Sequence, residues 1–526
     1  MRRAKTLALG LLLGLAAACG PTEVRVFDET LVASEPPPEL WPLRVAGGLP
    51  ARTFDPNGAE GWTEASALIH ARLYALDDQG RLVPDLVRQD EETPEGLRLK
   101  LVRAFFHDGS PVRARDVVAT FEALRRDDAS EVGRNLALVS AMVAEDPATV
   151  MIRLSAPFPE LREALTEMAV LPASRLDGAS REKAALPIGA GPYVLVQSGR
   201  RGLVFRPHER WHGGPAGVEW ILLKIIPDVA RRAEALADGA VDLAVLQAVD
   251  PGPFRDPERF TTHVARSGVL RALVLDTRDE ALREPAVRRA LSLLVDRRRI
   301  VTDVLQGLGR PAWQYLPDIS PAHDPRIVPP RNPRAAAERE LRSAGYERGI
   351  DGRWVRDGKP LRIRLLAWKD DAFRRLAVAR IVQDYREFGI AAETVLVTHD
   401  EYRRAARNLE TFGEGFLGGW SMHLAPALVL ARKFTSGGSQ NHAGFNDARV
   451  DAVLREALSE EQPDRRVRLV REAQRRILEL SPWIPVAFVD QMIVARRGVQ
   501  GFETPFLDSW YEYPRFLHRA RLPEEQ

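Results

Sequence analysis

Between Leu99 and Leu124 (LKLVRAFFHDGSPVRARDVVATFEAL) the apolar positions change their period abruptly. Leu99, Leu101 and the Phe105–Phe106 pair read as a strand. His107-Asp108-Gly109-Ser110-Pro111 follows as a turn, since glycine accepts a positive φ and proline fixes φ and donates no hydrogen bond. From Ala114 the spacing is helical, with Val117, Val118, Phe121 and Leu124 on one face. Similar changes recur along the chain. Globular structure is expected from Leu43-Arg44-Val45 onward. Ala233, Leu236 and Ala237 share a helix face that Gly239 ends, before a strand over Val241–Val245. Glu284 to Gly307 predicts a helix pair, with Val287, Ala290, Leu291 and Leu294 at i, i+3, i+4 and i+7 on an otherwise charged surface. In that pattern Arg288–Arg289 and Arg297–Arg299 are most simply solvated faces, with a docking role as the alternative. Gly352–Leu366 suggests a hairpin, Ala372–Phe388 a helix, and Val450–Leu480 is helical before the Pro-rich SPWIPVAF.

Composition narrows the class. With 526 residues, 45% hydrophobic, the chain can bury substantial cores in two or three globular units. A charged content of 28% with ordinary aromatic content excludes both a disordered chain and a multispan membrane protein. The formal net charge is +2, from 75 basic and 73 acidic residues. Removal of Arg2, Arg3 and Lys5 with a leader leaves 72 basic against 73 acidic, so there is no footprint for nucleic acid. Cys19 is the single cysteine, which excludes a disulfide framework and a thiolate metal cluster.

The position of Cys19 gives it meaning. Arg2, Arg3 and Lys5 precede an apolar run, Thr6–Ala18, of signal-peptide length and too short to span a bilayer comfortably. Ala16-Ala17-Ala18 leads directly into Cys19, which resembles a bacterial lipobox with Leu15 one place upstream of the usual leucine. Lipidation of Cys19 is the expectation; an ordinary cleavable signal peptide with an incidental cysteine is the alternative. Both export the protein. Gly20 to Trp41 ends in Glu35-Pro36-Pro37-Pro38-Glu39 and reads as a stiff tether.

The wording of several segments resembles one family. Phe105–Val117 is similar to the "(K/R)F(H/S)DG(T/S)P…(T/S)AxDV" segment of the solute-binding proteins of ABC transporters, in the family of dipeptide, oligopeptide and nickel receptors. Leu73-Tyr74-Ala75-Leu76, GRLVPDL (Gly80–Leu86), PIGAGPY (Pro187–Tyr193) and VRRALSLLVDRRRIVTDVLQGLGRPA (Val287–Ala312) resemble further family motifs, in the family's order. Arg206–Trp211 stands where the family has "NPxYW". The resemblance implies an α/β, two-lobed periplasmic-binding-protein fold (type II, cluster C-like) with a discontinuous first lobe and an inserted extra subdomain. It places a signal peptide at 1–18, a lipidated cysteine and tether at 19–42, and the first lobe at 43–57, 187–261 and 491–526. The inserted subdomain is 58–186 and the second lobe 262–490. The implied function is an extracytoplasmic, membrane-anchored receptor, monomeric and without cofactor. It would bind a peptide or similar small ligand between hinged lobes and deliver it to a permease and ATPase complex.

Sites follow from the same resemblance. In peptide-binding relatives "GWxxD" supplies an aspartate to the peptide ammonium, and here Gly419-Trp420-Ser421-Met422-His423 puts His423 at that place. A charge-assisted hydrogen bond of roughly 1.5–3 kcal/mol is thereby lost or weakened. A histidine contacts the chelated metal in the nickel branch, so a non-peptide or metal–chelate ligand stays open, as does a cleft-lining role. Trp420 is expected as a wall of the cleft or as core. Glu60 and Trp62 match cleft-lining positions, and Asn441 and Phe445 lie in a loop that reaches the ligand in oligopeptide-binding relatives. His208-Glu209-Arg210-Trp211-His212 matches HExxH literally, the pattern of a zinc peptidase. Pro207 before it and Gly213-Gly214-Pro215 after it leave no long helix to hold that geometry. No Walker A pattern or nucleophile elbow is present, so an enzyme is not expected. A lipoprotein sensor with no importer is the remaining alternative.

Overall fold

A computed structural model describes residues 42–48, 55–57, 64–128, 130–176, 186–199, 202–247, 250–407, 413–507 and 512–522. Two mixed sheets dominate. The first runs Phe260–Ala265, Gln491–Arg496, Leu243–Leu246, Leu43–Gly47, Ile221–Ile225, Gly202–Pro207, Tyr193–Gly199. Its central strand Leu43–Gly47 is parallel to both neighbours and buried on both faces, which is why it reads as nearly continuous apolar sequence. The second runs Gly309–Pro311, Trp483–Val489, Val269–Leu275, Gly415–Ser421, Arg362–Trp368, Ala391–Val397. Every residue of Trp483–Val489 is buried. A separate four-stranded antiparallel sheet orders Val87–Thr93, Gly96–Leu101, Thr149–Leu154 and Val139–Asp146. Among the described residues no helix is long and apolar enough to cross a membrane.

The period change at Leu99–Leu124 is real structure. The strand ends at Leu101, and the helix Ala114–Arg126 buries Val117, Phe121 and Leu124 against that four-stranded sheet, with Val118 half-buried at its rim. Asp116 closes the N-terminus by accepting the Arg113 N–H at 2.8 Å. The turn then makes a long-range bond: the His107 N–H donates to the Gly189 carbonyl at 2.9 Å. His107 Nε2 and His208 Nδ1 lie 3.2 and 3.1 Å from the Gly191 carbonyl. Burial pushes His107 down to about 3 and lowers His208 as well, so two neutral imidazoles meet this oxygen. Gly189 and Gly191 are needed for close approach. A Cβ on Gly189 would lie 2.0 Å from the Ile69 carbonyl oxygen, and one on Gly191 2.6 Å from that of Leu68.

The chain passes between the two main sheets twice, between Ala265 and Val269 and between Val489 and Gln491. Phe260–Ala265 is paired along its length to Gln491–Arg496, so the boundary drawn at 261 falls inside a strand. The passages lie side by side: the Ser267 hydroxyl donates to the Val489 carbonyl, and the Ser267 N–H to Asp490 Oδ1 at 3.2 Å.

Three expectations need correction. Arg288 and Arg297 are not solvated but only 3% and 1% exposed, while Arg289 and Arg299 do reach the surface. Arg288 donates to the carbonyls of Leu480, Leu282 and Arg283. The Gly352–Leu366 hairpin is confined to Trp354–Arg356 and Lys359–Pro360; Arg362–Trp368 joins the second sheet in parallel with Ala391–Val397. Val450–Leu480 is two helices, Ala448–Ser459 and Pro463–Leu480, broken where Pro463 cannot continue a preceding helix.

Candidate functional site

Side chains of the strand Gly415–Ser421 build one wall of a cavity between the sheets. Gly418 and Gly419 make room for two large neighbours. A Cβ on Gly418 would lie 2.0 Å from the Trp420 ring, and one on Gly419 2.2 Å from the guanidinium of Arg271, its register partner across the sheet. Trp420 lies with its ring centroid 4.1 Å from that of the fully buried Trp483, which holds the indole in one orientation. Arg271 reaches the other lobe: its Nη2 donates to Gln247 Oε1 at 3.3 Å, and Gln247 Nε2 donates to Gln491 Oε1 at 2.5 Å. Arg374 pairs with Asp371 and donates to the Leu417 carbonyl at 3.1 Å. Burial works to raise the Asp371 carboxyl, but Arg374 and Arg271 together hold it below the ordinary carboxylate range.

The cavity encloses about 370 Å³. Its lining comes from three regions: Arg72 and Glu167 from the part carrying the four-stranded sheet, Gln491 and Phe506 from beside the first sheet, Trp420 and Lys433 from beside the second. The helix Pro426–Phe434, which the sequence reading missed, contributes a further part of the lining. Glu160, 4% exposed, accepts the N–H of Ala427 at 3.1 Å and of Leu428 at 2.9 Å at that helix's N-terminus. Ala425 and Leu428 pack into the same apolar cluster as Leu73, Phe106 and Phe121, so the subdomain holds the helix in addition to its own lobe. Lower down, Arg432 Nη1 meets both Glu167 oxygens at 3.0 Å.

The sequence-predicted residues are dispersed. Trp420 lines the cavity. His423, 8% exposed, packs against Gly268 at the first passage and edge-on to Phe506, centroids 4.8 Å apart, with Nδ1 3.4 Å from Ser421 Oγ. Asn441 ties its own loop: Nδ2 donates to the Thr435 and Phe445 carbonyls at 3.0 and 2.7 Å, and Oδ1 accepts the Phe445 N–H at 2.9 Å. Phe445 is buried in the core of the second sheet, and it is the neighbouring Gln440 that reaches the cavity. Glu60, Trp62 and Cys19 lie outside the described residues. The HExxH run sits on turns after the strand Gly202–Pro207, and its imidazoles serve different partners: His208 the Gly191 carbonyl, His212 the Asp85 carboxylate at 2.8 Å. The helix face that zinc ligation by this motif requires is absent there. Among the described residues no group of three or more His, Cys, Asp or Glu side chains is placed to hold a metal ion. Arg271, Lys433 and Glu160 also escaped the sequence reading; only the Gly418-Gly419 pair signalled a crowded wall.

A model of the family "Bacterial extracellular solute-binding proteins, family 5 Middle" matches residues 81–441. The chain belongs to this family. Across this family 5 solute-binding protein the likeness extends well beyond the matched region. It is 27% identical over 501 residues to Protein XP55 of Streptomyces lividans, covering 92% of this chain and 88% of that one. The fold is that of NikZ from Campylobacter jejuni in complex with Ni(L-His), with a TM-score of 0.83, 23% identity and coverage of 91% and 99%. It is equally that of the oligopeptide-binding protein AppA from Bacillus subtilis with a nonapeptide, at a TM-score of 0.80, 19% identity and coverage of 92% and 99%. The family 5 protein therefore has the two-lobed α/β fold of the periplasmic binding proteins, and the cavity lies between its lobes.

Proposed function

We propose that this protein is the solute receptor of an ABC importer, anchored through lipid on Cys19, and that it binds a peptide or similar small solute in the cavity beside Trp420. The observation that carries the reading is a cavity walled by both lobes and the inserted subdomain, so that filling it favours the closed arrangement. Its volume is at the lower end of the ~300–1,000 Å³ of small-molecule sites, which supports a small solute over a long peptide. The closed form would then dock on a membrane permease driven by cytoplasmic ATPases. Ser267 and Asp490, at the paired passages, supply a hinge for that motion. NikZ with Ni(L-His) supports a metal–chelate solute as the second reading.

Native mass spectrometry of gently purified protein, followed by denaturation, tests the proposal. A released solute supports it, and its mass separates peptides from a metal chelate. A protein that retains and takes up no solute counts against it. Trp420→Ala is expected to weaken affinity for the released solute at least tenfold, or roughly 1.4 kcal/mol, by calorimetric titration. An unchanged Kd would remove Trp420 from the site.

A further inference from the structure

Among the described residues Lys433 is the one cavity-lining lysine, and it is 1% exposed. Among the described residues its ammonium donates to Gln440 Oε1 at 2.8 Å and forms no ion pair. The nearest acids are committed elsewhere. Glu167 is taken by Arg432 at 3.0 Å and by Asn135 Nδ2 at 2.5 Å, and Glu131 accepts Gln440 Nε2 at 2.8 Å. That last bond also fixes the Gln440 amide with its carbonyl turned to the lysine. The remaining charges facing Lys433 are Arg432 on its own helix, which repels it, and Glu167 and Glu131 across the cleft, which attract it. Burial outweighs them and pushes the ammonium well below its usual value. A buried cation with a single neutral acceptor is costly, and a counter-charge within the same cavity removes that cost.

The rest of the lining points the same way. Among the described lining residues five arginines balance five carboxylates, so the Lys433 ammonium is the unbalanced charge. Glu512 is paired with Arg72 at 3.1 Å and Asp77 with Arg81 at 2.8 Å. Burial raises the Glu163 carboxyl above its ordinary value. Glu512 and Asp77 would each give up an existing partner to meet a ligand ammonium.

Resting on the receptor reading above, we infer that the solute is a net anion, and that one of its anionic groups completes the coordination of the Lys433 ammonium at the base of the helix Pro426–Phe434.

The test uses thermal unfolding of the full chain with two probes: the anion-exchange-retained and the unretained pools of the small-molecule fraction of yeast extract. The retained pool is expected to raise the wild-type Tm by several degrees, and the unretained pool to leave it unchanged. The increment should grow as pH falls and the Lys433 amine gains its proton. Lys433→Met, which retains the buried volume without the charge, is expected to fold at least as stably and to lose both the increment and its pH dependence. Lys433→Arg should keep part of it. Stabilisation by the unretained pool, or by the retained pool equally in wild type and Lys433→Met, overturns the inference while leaving a solute receptor. A wild type that responds to neither pool overturns the receptor reading with it.

Discussion

Replacing Arg297 with methionine is expected to destabilise the second lobe by roughly 3–5 kcal/mol, since two or more carbonyls would be left buried and unpaired at ~1–3 kcal/mol each. Arg297 Nε donates to the Ala312 and Pro485 carbonyls, both at 2.8 Å, and Nη1 to those of Ser292 and Val295 at 2.8 and 3.3 Å. Nη2 adds the Ser292 hydroxyl at 3.1 Å, and the guanidinium lies 4.0 Å from the Trp313 ring centroid. One side chain thus closes the C-terminal end of the helix Pro285–Leu294, anchors the segment after Gly309–Pro311 and holds the buried strand Trp483–Val489. Burial lowers its value to about 10, still charged at neutral pH. Lysine has three donors in the wrong geometry, so Arg297→Lys should recover little. Urea unfolding checks both variants, and a loss below 1 kcal/mol for methionine would contradict the assignment.

The second large effect belongs to Glu160. Glu160→Ala leaves the Ala427 and Leu428 N–H groups unpaired in a dry contact, at about 1–3 kcal/mol, and should loosen the cavity wall that carries Lys433. The wild-type carboxyl also confers a pH dependence. Burial raises it from 4.5 to about 7, against the opposing pull of the two N–H donors. The folded state therefore keeps its proton where the unfolded chain has lost it. That contribution is complete below 4.5 and disappears as pH rises through about 7. At ~1.4 kcal/mol per unit the shift amounts to roughly 3 kcal/mol across the window. Glu160→Gln, which cannot ionise, is expected to flatten the fall in Tm between pH 4.5 and 7. Calorimetric scans across that range measure it, and a wild-type slope in the variant would show that Glu160 does not titrate there.

Local pattern was a sound guide wherever a segment's own neighbours set its environment. The helix from Ala114 begins at the expected residue, because the turn chemistry of Asp108-Gly109-Ser110-Pro111 and the spacing of Val117, Phe121 and Leu124 are all within one short stretch. The family was legible for a related reason: its motifs are the turns and close approaches, such as Gly189 and Gly191 under the Ile69 and Leu68 carbonyls, that few other residue types satisfy. For Trp420 the sequence left cleft wall and core packing both open, and the indole both lines the cavity and packs on the core.

Contacts between distant segments decided the rest. Arg288 and Arg297 look solvated on their own helices, but the Leu480 and Pro485 carbonyls that bury them arrive 192 and 188 residues later. His423 occupies the expected amine-binding place in the string, yet Gly268 and Phe506 enclose it at the passage between lobes. Lys433 and Glu160 carry no motif at all. Their importance comes from burial, and burial is a property of three chain regions meeting at one helix, which hydrophobic periodicity within any one of them does not encode.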